Sequence, residues 1–258
     1  MLYDIKNLCF SYRENKQILD NISLEINEGE LLCVLGKNGS GKTTFFNCLL
    51  GLLKYYQGNI YLNNADIKGL NERSIAKLVS YVPQNPNLIF GYTVLDYVLM
   101  GLASNIGIFS KPNKNDYQKA LDALKQMDIL DYSERMFNEL SGGEKQQVTI
   151  ARAVVSDPKI IFFDEPTAHL DYANQIKVLK MIKELSNKGY AVVFSTHDPN
   201  HALILNSNVA LFDGQGHIEK GTCEKLITEK KLNKIYDSNI KITYVDKVKR
   251  KVCTYKTV

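Results

Sequence analysis

Gly36-Lys37-Asn38-Gly39-Ser40-Gly41-Lys42-Thr43-Thr44 directly follows the apolar run Leu31-Leu32-Cys33-Val34-Leu35. The stretch fits G-x-x-x-x-G-K-[ST] in full, in the strand, glycine loop and helix setting that this pattern requires. The residue types suit phosphate chemistry. Glycines let successive backbone N–H groups of Gly36 to Thr44 curl around a phosphate chain without β-carbon clashes. A helix starting near Gly41 points its positive end at the same phosphates. Lys42 can reach the β- and γ-phosphates, and the Thr43 hydroxyl can ligate Mg²⁺. The loop predicts a bound nucleoside triphosphate. It is silent on what the triphosphate is used for.

Upstream, Leu2 to Phe10, Ile22 to Ile26 and Leu31 to Leu35 read as strands, aliphatic and separated by turn residues. Downstream, Lys42 to Leu50 reads as a helix that stops at Gly51. Gly58 to Leu62 and Val79 to Val82 read as further strands. From about Pro83 to Ser156 the periodicity is helical, over Asp96 to Leu102, Asn115 to Met127 and Gly143 to Val155. Short apolar runs return at Ile160-Ile161-Phe162-Phe163 and Tyr190-Ala191-Val192-Val193-Phe194, as suits central parallel strands buried on both faces. A helix over Asn174 to Ser186 lies between them and makes a βαβ unit. After Thr222 a charged helix precedes a hairpin, in which Ile240, Ile242 and Tyr244 alternate with polar residues, Asp246 to Arg250 turn, and Val252 to Tyr255 return.

The bulk numbers bound the class. A chain of 258 residues with 45% hydrophobic and 23% charged residues suits one substantial soluble α/β domain with a subdomain. No apolar run approaches the length of a membrane span, and Met1-Leu2-Tyr3-Asp4-Ile5-Lys6 lacks a signal-peptide core. Five scattered cysteines with no C-x-x-C pair predict reduced thiols rather than a disulfide framework or zinc site. The formal charge of +4 is uneven: residues 222–258 carry ten Lys/Arg against four Asp/Glu. That basic tail is either a solvated face or a dock for anionic lipid or an acidic partner. Basic residues are not interleaved with stacking aromatics, so no nucleic-acid partner is expected.

Two further stretches narrow the chemistry. Ile160-Ile161-Phe162-Phe163-Asp164-Glu165 is a buried strand ending in two carboxylates. Either the strand simply ends in a solvated acidic turn, or Asp164 presents an anion where Mg²⁺ must sit and Glu165 can polarise an attacking water. Leu140-Ser141-Gly142-Gly143-Glu144-Lys145-Gln146-Gln147 opens a helix, with Ser141 and Glu144 at capping-box spacing. Its Ser-Gly-Gly start leaves backbone N–H groups accessible, a second anion site. One triphosphate needs one cradle. A second cradle about a hundred residues away is resolved if it reads a triphosphate held by another subunit.

With these stretches in this order, the chain resembles the nucleotide-binding subunit of ATP-binding cassette (ABC) transporters over nearly its whole length. Tyr12, in Phe10-Ser11-Tyr12, matches the aromatic that stacks on adenine. Gln84, in Tyr81-Val82-Pro83-Gln84, matches the glutamine that senses Mg²⁺ and the attacking water. Leu140 to Gln147 matches the signature motif. Asp164 and Glu165 match the Walker B aspartate and the catalytic glutamate. Ala168-His169-Leu170-Asp171 matches the D-loop, and His197, in Ser195-Thr196-His197-Asp198, matches the switch histidine. Glu144 stands where glutamine is commonest, and His169 where small residues are frequent; importer-type relatives tolerate both.

The resemblance implies an α/β P-loop NTPase (RecA-like) core with an antiparallel β subdomain and a helical signature subdomain. The ATPase domain would span 1–221, with the helical part at about 85–156, and 222–258 would form a C-terminal helix and hairpin extension. It implies ATP and Mg²⁺ as cofactors and a head-to-tail dimer of two copies. Each ATP would lie on Tyr12, Gly36 to Thr44, Gln84 and Asp164 of one copy and on Ser141, Gly142, Gly143 and Asp171 from the dimer contact. Lys42, Gln84, Glu165 and His197 would carry catalysis. An integral membrane permease would supply the pore at the cytoplasmic face of the cell membrane. It would dock on the segment from Gln84 to about Ser110, through Leu88, Ile89, Phe90, Tyr92 and Tyr97, with a substrate-binding protein as indirect partner. Thr93 to Gly101, Glu165 to Asp171 and Ser195 to Leu203 resemble importers of iron chelates, haem, cobalamin and related metal complexes. Ser133 to Glu139 lacks the acidic-glycine pattern of many exporters. The rival reading is a cytosolic cassette ATPase that acts as a scaffold without a permease. Long coiled-coil arms, as in chromosome ATPases, do not fit the roughly 55 residues between Gln84 and the signature.

Overall fold

In the computed structural model, residues 1–13, 16–84, 91–107 and 110–255 are described. The chain opens as an antiparallel sheet. Strands β1 (Tyr3–Arg13) and β2 (Lys16–Ile26) pair along their length, from Tyr3 opposite Ile26 to Arg13 opposite Lys16. The sequence pattern places the start of β2 at Ile22. It begins six residues earlier because Lys16 to Asn21, with few apolar residues, are carried by backbone pairing to β1 and by bulges in the ladder. β3 (Leu31–Leu35) is buried at every residue, as a strand covered on both faces must be. The phosphate loop follows, then α1 (Lys42–Leu49). β4 (Gln57–Leu62) and the short β5 (Ala65–Asp66) complete a four-stranded sheet in the order β2-β1-β4-β5. The buried Tyr3 hydroxyl donates 2.7 Å to the carbonyl of Leu49 and ties this sheet to the end of α1.

The next stretch is mostly helical. α2 (Glu72–Ala76) is capped by Asn71, and its Arg73 donates to the carbonyls of Ser104 and Ile106. β6 (Val79–Val82) leads to α3 (Val94–Leu99), which Thr93 caps and which continues as a 3-10 turn through Leu102. α4 (Lys114–Gln126) starts in a capping box of Asn113 and Asp116. α5 (Gly142–Val154) starts in another, of Ser141 and Glu144. These three helices pack on one another through Tyr97, Ala120, Leu124, Val148 and Ile150, all at most 1% exposed. Tyr97, expected on a docking surface, is instead interior. Its ring lies 4.2 Å from that of Phe137, and its hydroxyl accepts from Arg152. Leu88, Ile89 and Phe90 lie outside the described residues. β7 (Ile160–Phe163) runs parallel to β6, Val79 opposite Ile160, and α6 (Tyr172–Asn187) follows, capped by Asp171.

β8 (Ala191–Thr196) is buried throughout. α7 (Pro199–Leu205) starts with proline at its first turn and ends at Asn206 in the left-handed region. β9 (Asn208–Phe212) runs parallel to β3, Leu32 opposite Asn208, and β10 (Ile218–Thr222) returns antiparallel to it. The sequence pattern does not foresee this pair, because β10 holds one apolar residue among five and is carried by its ladder. α8 (Cys223–Leu226) and α9 (Glu229–Tyr236) precede the expected hairpin, β11 (Ile240–Val245) and β12 (Arg250–Tyr255). Ile242 stands opposite Cys253 in its ladder.

The chain divides into two units, Met1–Leu70 with Val193–Val258, and Asn71–Val192. The first holds the antiparallel sheet, the strands β10, β9 and β3, helices α1 and α7, and the C-terminal segment; the second holds the β6–β7 pair and helices α2 to α6. β8 passes from the second into the first. All five cysteines are free thiols.

Candidate functional site: a phosphate loop, an acidic strand end and a capped glycine helix start

In the first unit, β3 ends at Leu35 and the chain curls through Gly36 to Gly41 into α1. Gly41 has φ +103°, and a β-carbon there would stand 3.2 Å from the carbonyl of Ile18. Only glycine adopts that conformation without strain. No side chain caps α1 at Gly41, so its first-turn N–H groups are available to an anion. Lys42 is 4% exposed, and its ammonium donates to the carbonyls of Gly36 (2.9 Å) and Lys37 (3.0 Å). Its charge is thereby held inside the loop. Among the described residues, the Ser40 hydroxyl is buried without a hydrogen-bond partner. An orphaned buried hydroxyl costs about 1–3 kcal/mol and fits a loop that an anionic oxygen completes. Thr43 is exposed, while Thr44 is buried with its hydroxyl 3.4 Å from that of Tyr12. Tyr12 is 60% exposed and rests edge-on against Phe10, leaving a ring face open to a flat apolar ligand such as a purine.

The loop is fastened to the end of β8: the Gly36 N–H donates 3.3 Å to the carbonyl of Thr196. His197 follows at once and is exposed. Behind it, the Thr196 hydroxyl shares a 2.8 Å hydrogen bond with Nδ1 of buried His201 and accepts from the Asp198 N–H at 3.1 Å. Burial, reinforced by nearby His197, holds His201 below the usual histidine value against the opposing pull of the Asp198 carboxylate.

In the second unit, the parallel pair β6 and β7 brings two predicted residues to the same strand ends. Asp164 is 3% exposed, and its N–H donates 2.9 Å to the carbonyl of Val82. Gln84, exposed, lies two residues past that carbonyl. Ligand sites in such sheets form at the carboxyl ends of the strands. The Tyr81 hydroxyl donates 3.3 Å to Oδ2 of Asp164. Burial first, then the Asp164 charge, pushes the Tyr81 phenol up, so it stays a donor. Sequence reasoning missed Tyr81, because its partner is 83 residues away. Glu165 has φ +44° and His169 φ +62°, uncommon for residues with a β-carbon. Strain of this kind clusters where a side chain must be aimed.

Ser141 and Glu144 form the expected capping box: the Ser141 N–H donates 2.7 Å to Glu144, and the Glu144 N–H donates to the Ser141 hydroxyl. The Ser141 backbone N–H, with Ser141, Tyr132 and Arg135 side chains in support, lowers the Glu144 carboxyl to about 2. Gly142 is exposed and Gly143 buried. A β-carbon on Gly143 would lie 2.6 Å from Oδ1 of Asn174. Asp171 in turn holds Asn174, accepting from its N–H at 2.8 Å and its amide at 2.9 Å. The D-loop aspartate and the signature glycine are therefore linked through Asn174, which the sequence reading did not single out. Within the second unit, the Asp164 carboxylate and the Gln84 side-chain carbonyl offer oxygen donors, the chemistry a hard cation such as Mg²⁺ selects.

Comparison with known proteins accords with this. Residues 19–168 match the ABC transporter family model. The chain is 38% identical over 236 residues to an uncharacterised ABC transporter ATP-binding protein of Haemophilus influenzae, covering 92% of this chain and 89% of that one. It is 35% identical to the molybdate import ATP-binding protein MolC of the same organism, covering 90% and 87%. It is 33% identical to a "probable iron chelatin transport ATP-binding protein" of Helicobacter pylori, covering 95% and 97%. Among solved structures, an ABC transporter assigned to the metal-chelate type, in an inward-facing conformation, superposes with TM-score 0.86 at 32% identity, covering 99% and 98%. A dimeric ATP-binding cassette in a post-hydrolysis state with ADP and phosphate gives 0.74 at 29%, covering 86% and 99%. The chain belongs to the ABC transporter family and is one of its ATP-hydrolysing cassettes.

Proposed function

We propose that the chain powers an importer for an iron chelate, haem, cobalamin or a related metal complex, working with a partner permease at the cytoplasmic face of the cell membrane. The observation that carries the dimeric part of this reading is the second glycine helix start. Ser141 and Gly142 are exposed beside a first-turn backbone fixed by its capping box. That geometry suits an ATP carried by a second copy of the chain, as the dimeric post-hydrolysis cassette also suggests.

In this reading Tyr12 stacks on the base, Gly36 to Thr44 wrap the phosphates, and Lys42 neutralises them. Thr43, Gln84 and Asp164 would hold Mg²⁺, which would supply neutralisation of the phosphate charge. Glu165 takes the proton of the attacking water, and His197 contacts the γ-phosphate. Phosphoryl transfer to water requires chiefly positioning and charge neutralisation, which these groups supply.

The permease is the natural complement of a chain with no helix, among the described residues, long and apolar enough to cross a membrane. A cavity of about 650 Å³ lined by Tyr92, Asp96, Leu99, Met100, Ile106 and Tyr117 offers a mixed apolar and acidic seat for a permease helix. The choice of cargo rests on the relatives named for iron chelatin and molybdate and on the metal-chelate type structure. The ATPase does not touch cargo in this reading. Purification in gentle detergent tests it. A co-purifying polytopic membrane protein whose metal-complex ligand stimulates ATP turnover supports the proposal. Recovery of the ATPase without any membrane partner overturns it in favour of a scaffold.

A further inference from the structure

The segment after Thr222 reaches back to the loop that carries His197. The Tyr236 hydroxyl, at the last residue of α9, donates 2.8 Å to the His197 carbonyl. Three residues on, the Asn200 side chain pairs with the backbone of Cys253 on β12. Asn200 Oδ1 accepts from the Cys253 N–H at 2.9 Å, and its amide donates to the Cys253 carbonyl at 3.2 Å. The two anchors are not independent tethers. Glu229 on α9 accepts from the Ile242 N–H and the Lys241 ammonium, both at 2.9 Å. Asn233, one turn further on, exchanges two hydrogen bonds with Ile240. The Ile240–Val245 strand is then paired with β12. Helix α9 and the hairpin thus form one braced body with two grips on residues 197–200.

Those grips oppose the interior ones. Thr196 and His201 hold the loop from inside, through the Asp198 N–H and the buried imidazole. The C-terminal body holds it from outside. Among the described residues, His197, Pro199, Tyr236, Ile240 and Tyr255 line a cavity of about 540 Å³ at this junction. Three side-chain hydrogen bonds join the loop to the C-terminal body across this junction.

We propose that Tyr236 and Asn200 are positioning residues for the switch histidine, so that the C-terminal segment sets the hydrolytic step from outside the nucleotide loop. The inference rests on the reading of His197 as the group that contacts the γ-phosphate. Neither residue needs to touch ATP. Their loss leaves nucleotide affinity intact and misplaces one group in the transition state, which appears in kcat and not in KM.

The experiment measures steady-state ATP hydrolysis and thermal unfolding of the full chain and of Tyr236→Phe, Asn200→Ala and His197→Ala. Tyr236→Phe keeps the ring and removes only the donor. We expect kcat to fall about fivefold in Tyr236→Phe and further in Asn200→Ala, as the loss of one or two hydrogen bonds implies. KM for ATP and the unfolding midpoint of Tyr236→Phe should stay at wild-type values. Unchanged kcat in both variants, with turnover lost in His197→Ala, overturns this proposal and leaves the switch histidine standing. A fall in kcat matched by a rise in KM and a lower unfolding midpoint also overturns it, since it marks a purely structural contact. Wild-type turnover in His197→Ala removes the reading beneath it.

Discussion

The side-chain amide of Asn174 occupies the space in which a β-carbon on Gly143 would lie, with Oδ1 at 2.6 Å, and Asp171 holds that amide at 2.9 Å. The signature helix start is thus fitted against the first turn of α6. Gly143→Ala should displace one against the other and lower ATP turnover at least tenfold, in line with the cost of a small misplacement in a catalytic constellation. Asn174→Ala in the same chain clears the obstacle. If turnover returns in the double variant, glycine is required for packing. If it does not, glycine is required for the approach of the phosphate itself, and steady-state rates decide between the two.

The Lys42 ammonium has two loop carbonyls as partners and little contact with solvent. Lys42→Ala should cut hydrolysis by roughly 10²-fold or more, the range seen when a donor to developing charge is removed. Fluorescent nucleotide titration should show weakened ATP binding as well. Wild-type affinity in the variant would show that the backbone cradle binds phosphate without the lysine.

Glu165 sits just past a buried strand with a left-handed backbone, a conformation that glutamine can share. Glu165→Gln should therefore keep the fold and cut turnover roughly 10²-fold or more, as loss of a general base does. Light scattering with ATP should then report a persistent dimer. A variant that stays monomeric with ATP, or that hydrolyses at near wild-type rate, would contradict these roles.

Glu144 links electrostatics to stability. Its folded carboxyl lies near 2, below an ordinary unfolded glutamate at about 4.3. The stabilisation is therefore complete above the unfolded value and is lost as pH falls towards 2. Glu144→Gln can keep the capping acceptor but loses the charge and the Arg135 ion pair at 3.2 Å. Wild type should exceed the variant by about 1 kcal/mol at pH 7, a figure limited by partial exposure. Urea unfolding should show that gap closing between about pH 4.5 and 2. A gap independent of pH would assign the effect to packing.

Local rules made much of the site legible in the chain alone. The phosphate loop needs glycine, lysine and threonine at fixed offsets, and the Ser141–Glu144 box closes over three residues. Continuous apolar runs identified β3 and β7 because strands covered on both faces admit little else. The path of Lys16 to Asn21 and of β10 was not legible, since ladder pairing rather than side-chain pattern holds them. Tyr97 misled for a related reason: an aromatic in an apolar, aromatic stretch suits an interface and a core equally, and only its contact with Phe137 decides.

The sequence by itself determined the family, the ATP chemistry and the order of the motifs, because each motif folds under constraints a few residues long. Tertiary structure alone decided their supports. Tyr81 reaches Asp164 across 83 residues, Asn174 fills the space beside Gly143, and Tyr236 grips the His197 loop across 39. Such partners leave no mark in local spacing, since they are joined only when distant strands and helices close on a shared core.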